Sequence, residues 1–261
     1  MGIVMSRIWI VALAATCLVG IASAESKRAG EPIPEPILET MPPDLETRFA
    51  LSAAPPRLRE AATVYLLNPK KGYYLARKGT SGVTCIVQRT DWDMSELRDD
   101  VYWSVCYDAA GTKTYLKTIM DAATLRIKGM SAAEIKAEIE KRYRNKTYTP
   151  PQKIGVSYMV APIMRAVGPP DMQVHTMAMP HLMFYAPFVT NEDIGASPDF
   201  NDPASLAYPF LDKHTEGGSE HGYIIQILGE AETASILRNE KQLMDELCDY
   251  RRSLCLESTH R

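Results

Sequence analysis

Positive charge is in short supply in this chain. Lys and Arg number 29 against 32 Asp and Glu, for a formal charge of −3 over 261 residues. A nucleic-acid partner would call for a basic stripe, and none is present. The motifs that carry common chemistries are missing too. There is no G-x-x-x-x-G-K-[ST] phosphate cradle, no G-x-G-x-x-G dinucleotide turn and no H-E-x-x-H metal helix. Gly217-Gly218-Ser219-Glu220-His221-Gly222 comes near a nucleophile elbow, but that motif needs its second glycine at position 221, where His221 stands. No apolar run beyond the first 24 residues is long enough to cross a bilayer.

The N-terminus reads as an export leader. Arg7 supplies the positive start, Ile8 to Ile21 an apolar run too short to span, and Ala22-Ser23-Ala24 a small-residue cleavage site. A lipoprotein reading through Cys17 fits less well, because the apolar run continues through Leu18 to Ile21 after it. Cleavage after Ala24 leaves 237 residues with 28 Lys and Arg against 32 Asp and Glu, a charge of −4. The expected product is exported, periplasmic or secreted, with no transmembrane segment and enough chain for a sizeable core. Four of the five cysteines remain: Cys85, Cys106, Cys248 and Cys255. An even count in an oxidising compartment favours two disulfides. Of the three possible pairings, sequence proximity favours Cys85–Cys106 and Cys248–Cys255.

Residues 25–57 hold seven prolines among Glu31, Glu35, Glu39 and Asp44, and read as an extended, partly polyproline II arm ahead of one domain at 58–261. From Leu58, four β-rich runs follow, at 62–67, 73–77, 83–87 and 101–107, separated by Gly- and Lys-rich turns. They are expected as an antiparallel meander. Leu116, Ile119, Met120, Ala123 and Ile127 fall at helical spacing. Gly129 ends that helix, and Ser131-Ala132-Ala133-Glu134 is a capping box opening the next. Strands are expected at 154–160, 181–185 and 223–228, with a long polar loop from Thr190 to Gly218. A final helix starts near Glu230. Were it unbroken, Cys248 and Cys255 would lie about 10.5 Å apart along its axis at 1.5 Å per residue, too far for a disulfide. The helix is therefore expected to end near Tyr250. The fold class is α+β: an antiparallel sheet with two central helices and a C-terminal helix.

The candidate site lies around Met172 to Pro187, where His175, Met177, Met179, His181 and Met183 occupy every second position. In one strand they would share a face. Thioethers interleaved with imidazoles suit copper or another transition metal, with Met179, Met183, His181 and His221 as ligands. They also suit an adaptable core, and Pro180 interrupts the strand. His181 and His221 each stand at a strand entrance, where they are expected to converge with Asp193 or Glu220 nearby. Two functions follow: a non-catalytic small-molecule or metal-binding protein using that site, or a hydrolase-like enzyme pairing the histidines with an acidic group.

The segments 58–65, 76–85, 180–187 and 221–225 together resemble a family of exported bacterial proteins of unknown function, over most of residues 58–228. The resemblance implies a bacterial, exported, single-domain protein and carries no activity, cofactor or catalytic residue.

Overall fold

The computed structural model describes residues 38–92, 96–168, 171, 173–212 and 219–256. The expected leader and residues 25–37 of the Pro-rich arm lie outside them. Along the chain the elements are α1 (Pro43–Ser52), α2 (Pro56–Arg59), β1 (Thr63–Asn68), β2 (Gly72–Arg77), β3 (Thr84–Gln88) and β4 (Trp103–Tyr107). Then come α3 (Ala109–Lys113), α4 (Tyr115–Ile127), α5 (Ala132–Arg144), β5 (Val156–Met159), β6 (Met164–Gly168) and β7 (Gln173–Met177). The chain continues with β8 (His181–Tyr185), β9 (Phe210–Leu211), β10 (Tyr223–Ile227), α6 (Glu230–Asn239) and α7 (Lys241–Tyr250). Eight strands form one sheet in the order β2-β1-β3-β4-β5-β8-β10-β9, and β6 and β7 form a separate hairpin. The fold is α+β, and no helix among the described residues is long and apolar enough to cross a membrane.

The Pro-rich arm is corrected over residues 38–57. Its prolines bracket a helix instead of preventing one. Pro43 occupies the first turn, where a missing N–H costs nothing, and Asp44 complements the helix dipole. Between Pro43 and Pro55 there is no proline. Leu45, Phe49 and Ala53 repeat every four residues and are buried, Phe49 completely. They pack in one core with Val64, Cys85, Cys106, Leu243 and Leu247. The residues just before the helix are tied down as well, with Glu39 ion-paired to Arg251 at 2.6 Å and Met41 buried.

The sheet is therefore covered on both faces. Alternate residues of β3 and β4 serve opposite layers: Cys85, Val87 and Cys106 face α1 and α7, while Ile86, Val105 and Tyr107 face α4. The meander is also corrected. β3 pairs with β1 in parallel, Val64 opposite Cys85, because the chain crosses the start of β1 before entering the sheet. Thr80 and Ser81 donate backbone bonds to the Ala61 carbonyl at 2.8 and 3.0 Å. Only glycine fits at position 79 in that crossing, where a Cβ would lie 2.2 Å from the same oxygen.

The two central helices form as expected. Ser131 and Glu134 make the reciprocal bonds of a capping box at the start of α5. Asp121 on α4 receives Lys117, Arg142 and the Tyr148 hydroxyl at 2.7, 3.0 and 2.7 Å, which docks α5 on α4. Both disulfides form. Cys85 and Cys106 are direct cross-strand partners. α7 ends at Tyr250, and a 3-10 turn at Arg252–Leu254 brings the Cα of Cys255 to 4.4 Å from that of Cys248. Non-reducing peptide mapping is expected to find these two links and no others. Replacing Cys248 and Cys255 together by serine should cost about 2 kcal/mol in urea denaturation, since the bridge closes only a short loop. A loss as large as that from removing Cys85–Cys106 would contradict this ranking.

Candidate functional site

The α4 side of the sheet does not close completely against its helices. A cavity of about 190 Å³ remains there. Its floor comes from β4, β5, β8 and β10 through Trp103, Val105, Met159, His181, Met183, Tyr223 and Ile225. The β6–β7 hairpin covers one side with Met164, Ala166 and Met177, paired Met164 against Met177. α4 and α5 add Tyr115, Thr118, Ile119 and Tyr143, and the segments before β9 and after β3 add Phe200, Leu206, Asp91 and Trp92. The wall is thus mostly thioether and aromatic, with a few polar groups set into it, the composition of a small-molecule site.

The predicted site residues divide between this cavity and other roles. Met179, His181, Met183 and His221 all line it. Asp193 and Glu220 do not. Asp193 accepts from the Thr190 backbone and hydroxyl, both at 2.8 Å, in a local turn. Glu220 is paired with Lys146 at 3.0 Å. The single Met/His strand is corrected: β7 stops at Met177 and β8 starts at His181, and His175 turns away to Asp171 at 2.5 Å.

The convergence of the two histidines is corrected by register. β8 and β10 are antiparallel, with His181 opposite Ile227 and Tyr185 opposite Tyr223. Ala186 then bonds Gly222 at 3.0 Å, so His221 stands beyond the far end of β8 from His181. The five strand steps from His181 to Ala186, the partner of Gly222, span roughly 16 Å at about 3.3 Å each, and His221 lies one residue beyond Gly222. Two ligands of one ion at about 2 Å each must come within about 4 Å of each other. His181 and His221 therefore cannot share one metal ion or hand a proton directly to each other. They mark the two ends of the cavity. Among the described residues no group of three or more His, Cys, Asp or Glu is placed to hold a metal ion.

Each end has its own chemistry. His181 is 4% exposed, and its Nδ1 lies 2.8 Å from the Met179 carbonyl oxygen. A carbonyl only accepts, so Nδ1 carries the proton and Nε2 holds the lone pair. Burial pushes this imidazole below its usual pKa, which keeps it neutral. At the other end, His221 sits between Trp92 and Tyr143, with ring centroids 4.9 and 5.1 Å away. Its Nδ1 meets the Ser219 hydroxyl at 2.9 Å. Tyr143 is held by Thr118 at 3.3 Å, and Tyr115 is stacked between Tyr185 and Tyr223 at 4.7 and 4.8 Å. The indole N–H of Trp103 is sealed from solvent without a hydrogen-bond partner.

Sequence reasoning did not single out Trp92, Trp103, Tyr143, Asp91, Asp212, Met159 or Met164. Only Trp103 left a local signal, since it alternates with Val105 and Tyr107 on the α4 face of β4. The others reach the cavity from segments distant in sequence. No protein-family model, curated protein or solved structure matches the chain.

Proposed function

We propose that this is an exported, non-catalytic binding protein that takes a small organic molecule into the cavity between His181 and His221. The observation that carries the reading is the cavity itself: an opening of about 190 Å³ walled by methionine and aromatic side chains. Interiors are normally packed to near crystal density, so an unfilled apolar space of this size calls for an occupant. It exceeds the roughly 150 Å³ cavity known to admit benzene. The methionines suit the role because their unbranched side chains re-pack around a guest. Neither Asp193 nor Glu220, the carboxylates expected as histidine partners in a hydrolase, lines the cavity. Export is supported by the N-terminal leader pattern, the two disulfides and the resemblance to an exported bacterial family.

The test uses the chain's own reporters. Of its three tryptophans, Trp92 and Trp103 line the cavity, and Trp9 falls in the leader. With Trp9→Phe, a panel of small organic compounds of about ten non-hydrogen atoms should contain members that change the indole emission saturably. Ala166→Leu, which adds bulk to the hairpin wall, should weaken those responses at least tenfold while circular dichroism stays unchanged. Ile225→Phe provides a second filling variant on the opposite wall. Saturable binding that is indifferent to both variants would place the ligand elsewhere and overturn the proposal.

A further inference from the structure

A polar atom at the His181 end of the cavity is left unsatisfied by the fold. His181, Met183 and Tyr185 alternate along β8 and face the α4 side of the sheet, where His181 and Met183 line the cavity. In an imidazole, Nδ1 lies beside Cβ and Nε2 at the tip of the ring. Nδ1 is fixed on the Met179 carbonyl at 2.8 Å, so the ring carries Nε2 out from the sheet into the cavity. With the proton on Nδ1, Nε2 is an acceptor. Among the described residues no hydrogen-bond donor reaches it. Burial keeps the ring neutral, so the lone pair stays free.

Thioethers surround this acceptor. Met159 lies opposite His181 in the ladder. β4 and β8 both run antiparallel to β5, so both start at this end of the sheet. The β6–β7 hairpin reaches the same end, because Arg165 of β6 bridges Tyr102, just before β4. That bridge brings the neighbouring Met164–Met177 pair to the His181 end. The described lining residues include no Lys or Arg.

We propose that the ligand is a phenol, its hydroxyl donating to His181 Nε2 and its ring held among Met159, Met164, Met177 and Met183. The inference rests on the binding function proposed above. A guest that fills the cavity takes water away from Nε2, so one that donates to it is favoured over one that cannot. A carboxylate has no proton to give and would meet no Lys or Arg in the described lining. A primary ammonium would bring three N–H groups and a charge into a ring of thioethers. A hydroxyl needs a single acceptor, and a phenol's is more acidic than an aliphatic one and donates more strongly. The aromatic ring adds the sulfur contacts that methionine side chains favour. The cavity volume suits a ligand of about ten non-hydrogen atoms, somewhat larger than benzene.

4-Isopropylphenol and 4-isopropyltoluene have the same shape and differ by a hydroxyl against a methyl group. They are titrated at pH 8, where the phenol keeps its proton, into the Trp9→Phe chain. Indole emission, excited at its red edge clear of the phenol, is the readout. The phenol is expected to bind at least about fivefold more tightly, although the hydrocarbon leaves water more readily. His181→Leu should weaken the phenol about tenfold or more and leave the hydrocarbon within about twofold, with circular dichroism unchanged. His181→Phe gives the same comparison should the first variant not fold. 4-Isopropylcyclohexanol, which keeps the hydroxyl and loses the aromatic ring, is expected to bind more weakly than the phenol, and tighter binding would overturn the phenol assignment. Equal or tighter binding of the hydrocarbon to the unsubstituted wall would overturn the inference while leaving a binding cavity in place. A phenol preference that survives both His181 variants would overturn it in the same way. No saturable response to any of these probes would remove this inference, and a silent compound panel besides would remove the function on which it rests.

Discussion

Phe49→Ala is expected to destabilise the protein by about 3–5 kcal/mol, the range for removing a fully buried aromatic ring. The ring is 0% exposed and sits where α1, the sheet and α7 meet. The backbone around it is engaged as well: the Ser104 hydroxyl on β4 donates to the Phe49 carbonyl. In urea denaturation the midpoint should fall with an unchanged slope, because the variant alters stability and not the surface exposed on unfolding. A loss under about 0.5 kcal/mol, typical of exposed positions, would mean that α1 is a detachable strap. The test therefore decides whether the folded unit begins at α1 or at Leu58. A loss of several kcal/mol is a large part of the 5–15 kcal/mol that holds a typical domain together.

The second large effect comes from one turn earlier on the same helix. Glu46 is 4% exposed, and its carboxyl accepts from the Leu67 backbone N–H at 2.9 Å. Burial raises its pKa to about 7, more than the Leu67 bond and the charge of Arg89 lower it. The folded state thus holds this proton more tightly than the unfolded chain, whose carboxyl titrates near 4.5. The stabilisation is complete below pH 4.5 and is lost as the pH rises through 7. Between pH 5 and pH 8 this group should remove about 2–3 kcal/mol of stability. Glu46→Gln keeps an oxygen for Leu67 and removes the titration. His181 works in the opposite direction, since its lowered pKa costs stability as the pH falls below about 6.5. The measurement is therefore the difference between wild type and variant at the two pH values, in which His181 cancels. Parallel pH profiles for the two proteins would show that Glu46 is ionised in the folded state. Asp100 and Asp121, whose pKa values are lowered, lose their contributions only below about 3.8, outside this window.

Both experiments address the segment where sequence and structure differ most. Seven prolines between residues 25 and 57 read as a block that resists regular structure. What matters is their placement, since Pro42, Pro43, Pro55 and Pro56 lie at the boundaries of a clean helical stripe. The stripe Leu45–Phe49–Ala53 is present in the sequence but short, and it takes the partner surface of β3 and β4 to make it a core helix.

Much of the molecule was determined by local chemistry. The capping box at Ser131 and Glu134, the break before Cys255, the strands expected at 62–67 and 181–185, and the pairing of the cysteines were all legible as sequence. Each depends on neighbours within a few residues, or on elimination among few partners. Residues His181, His221, Met179 and Met183 were legible as candidates, because imidazoles and thioethers at strand ends are uncommon. What only the tertiary structure decided is how they stand to one another. Strand direction places His181 opposite Ile227 and His221 beyond Ala186, so two histidines that read as a pair became the ends of one cavity. Reversing one strand of a ladder moves a residue by the whole length of that strand, and no local pattern records which way the partner runs. The aromatic end of the cavity, with Trp92, Tyr143 and His221, is likewise assembled from the segment after β3, α5 and the segment before β10, which meet only when the sheet closes its order.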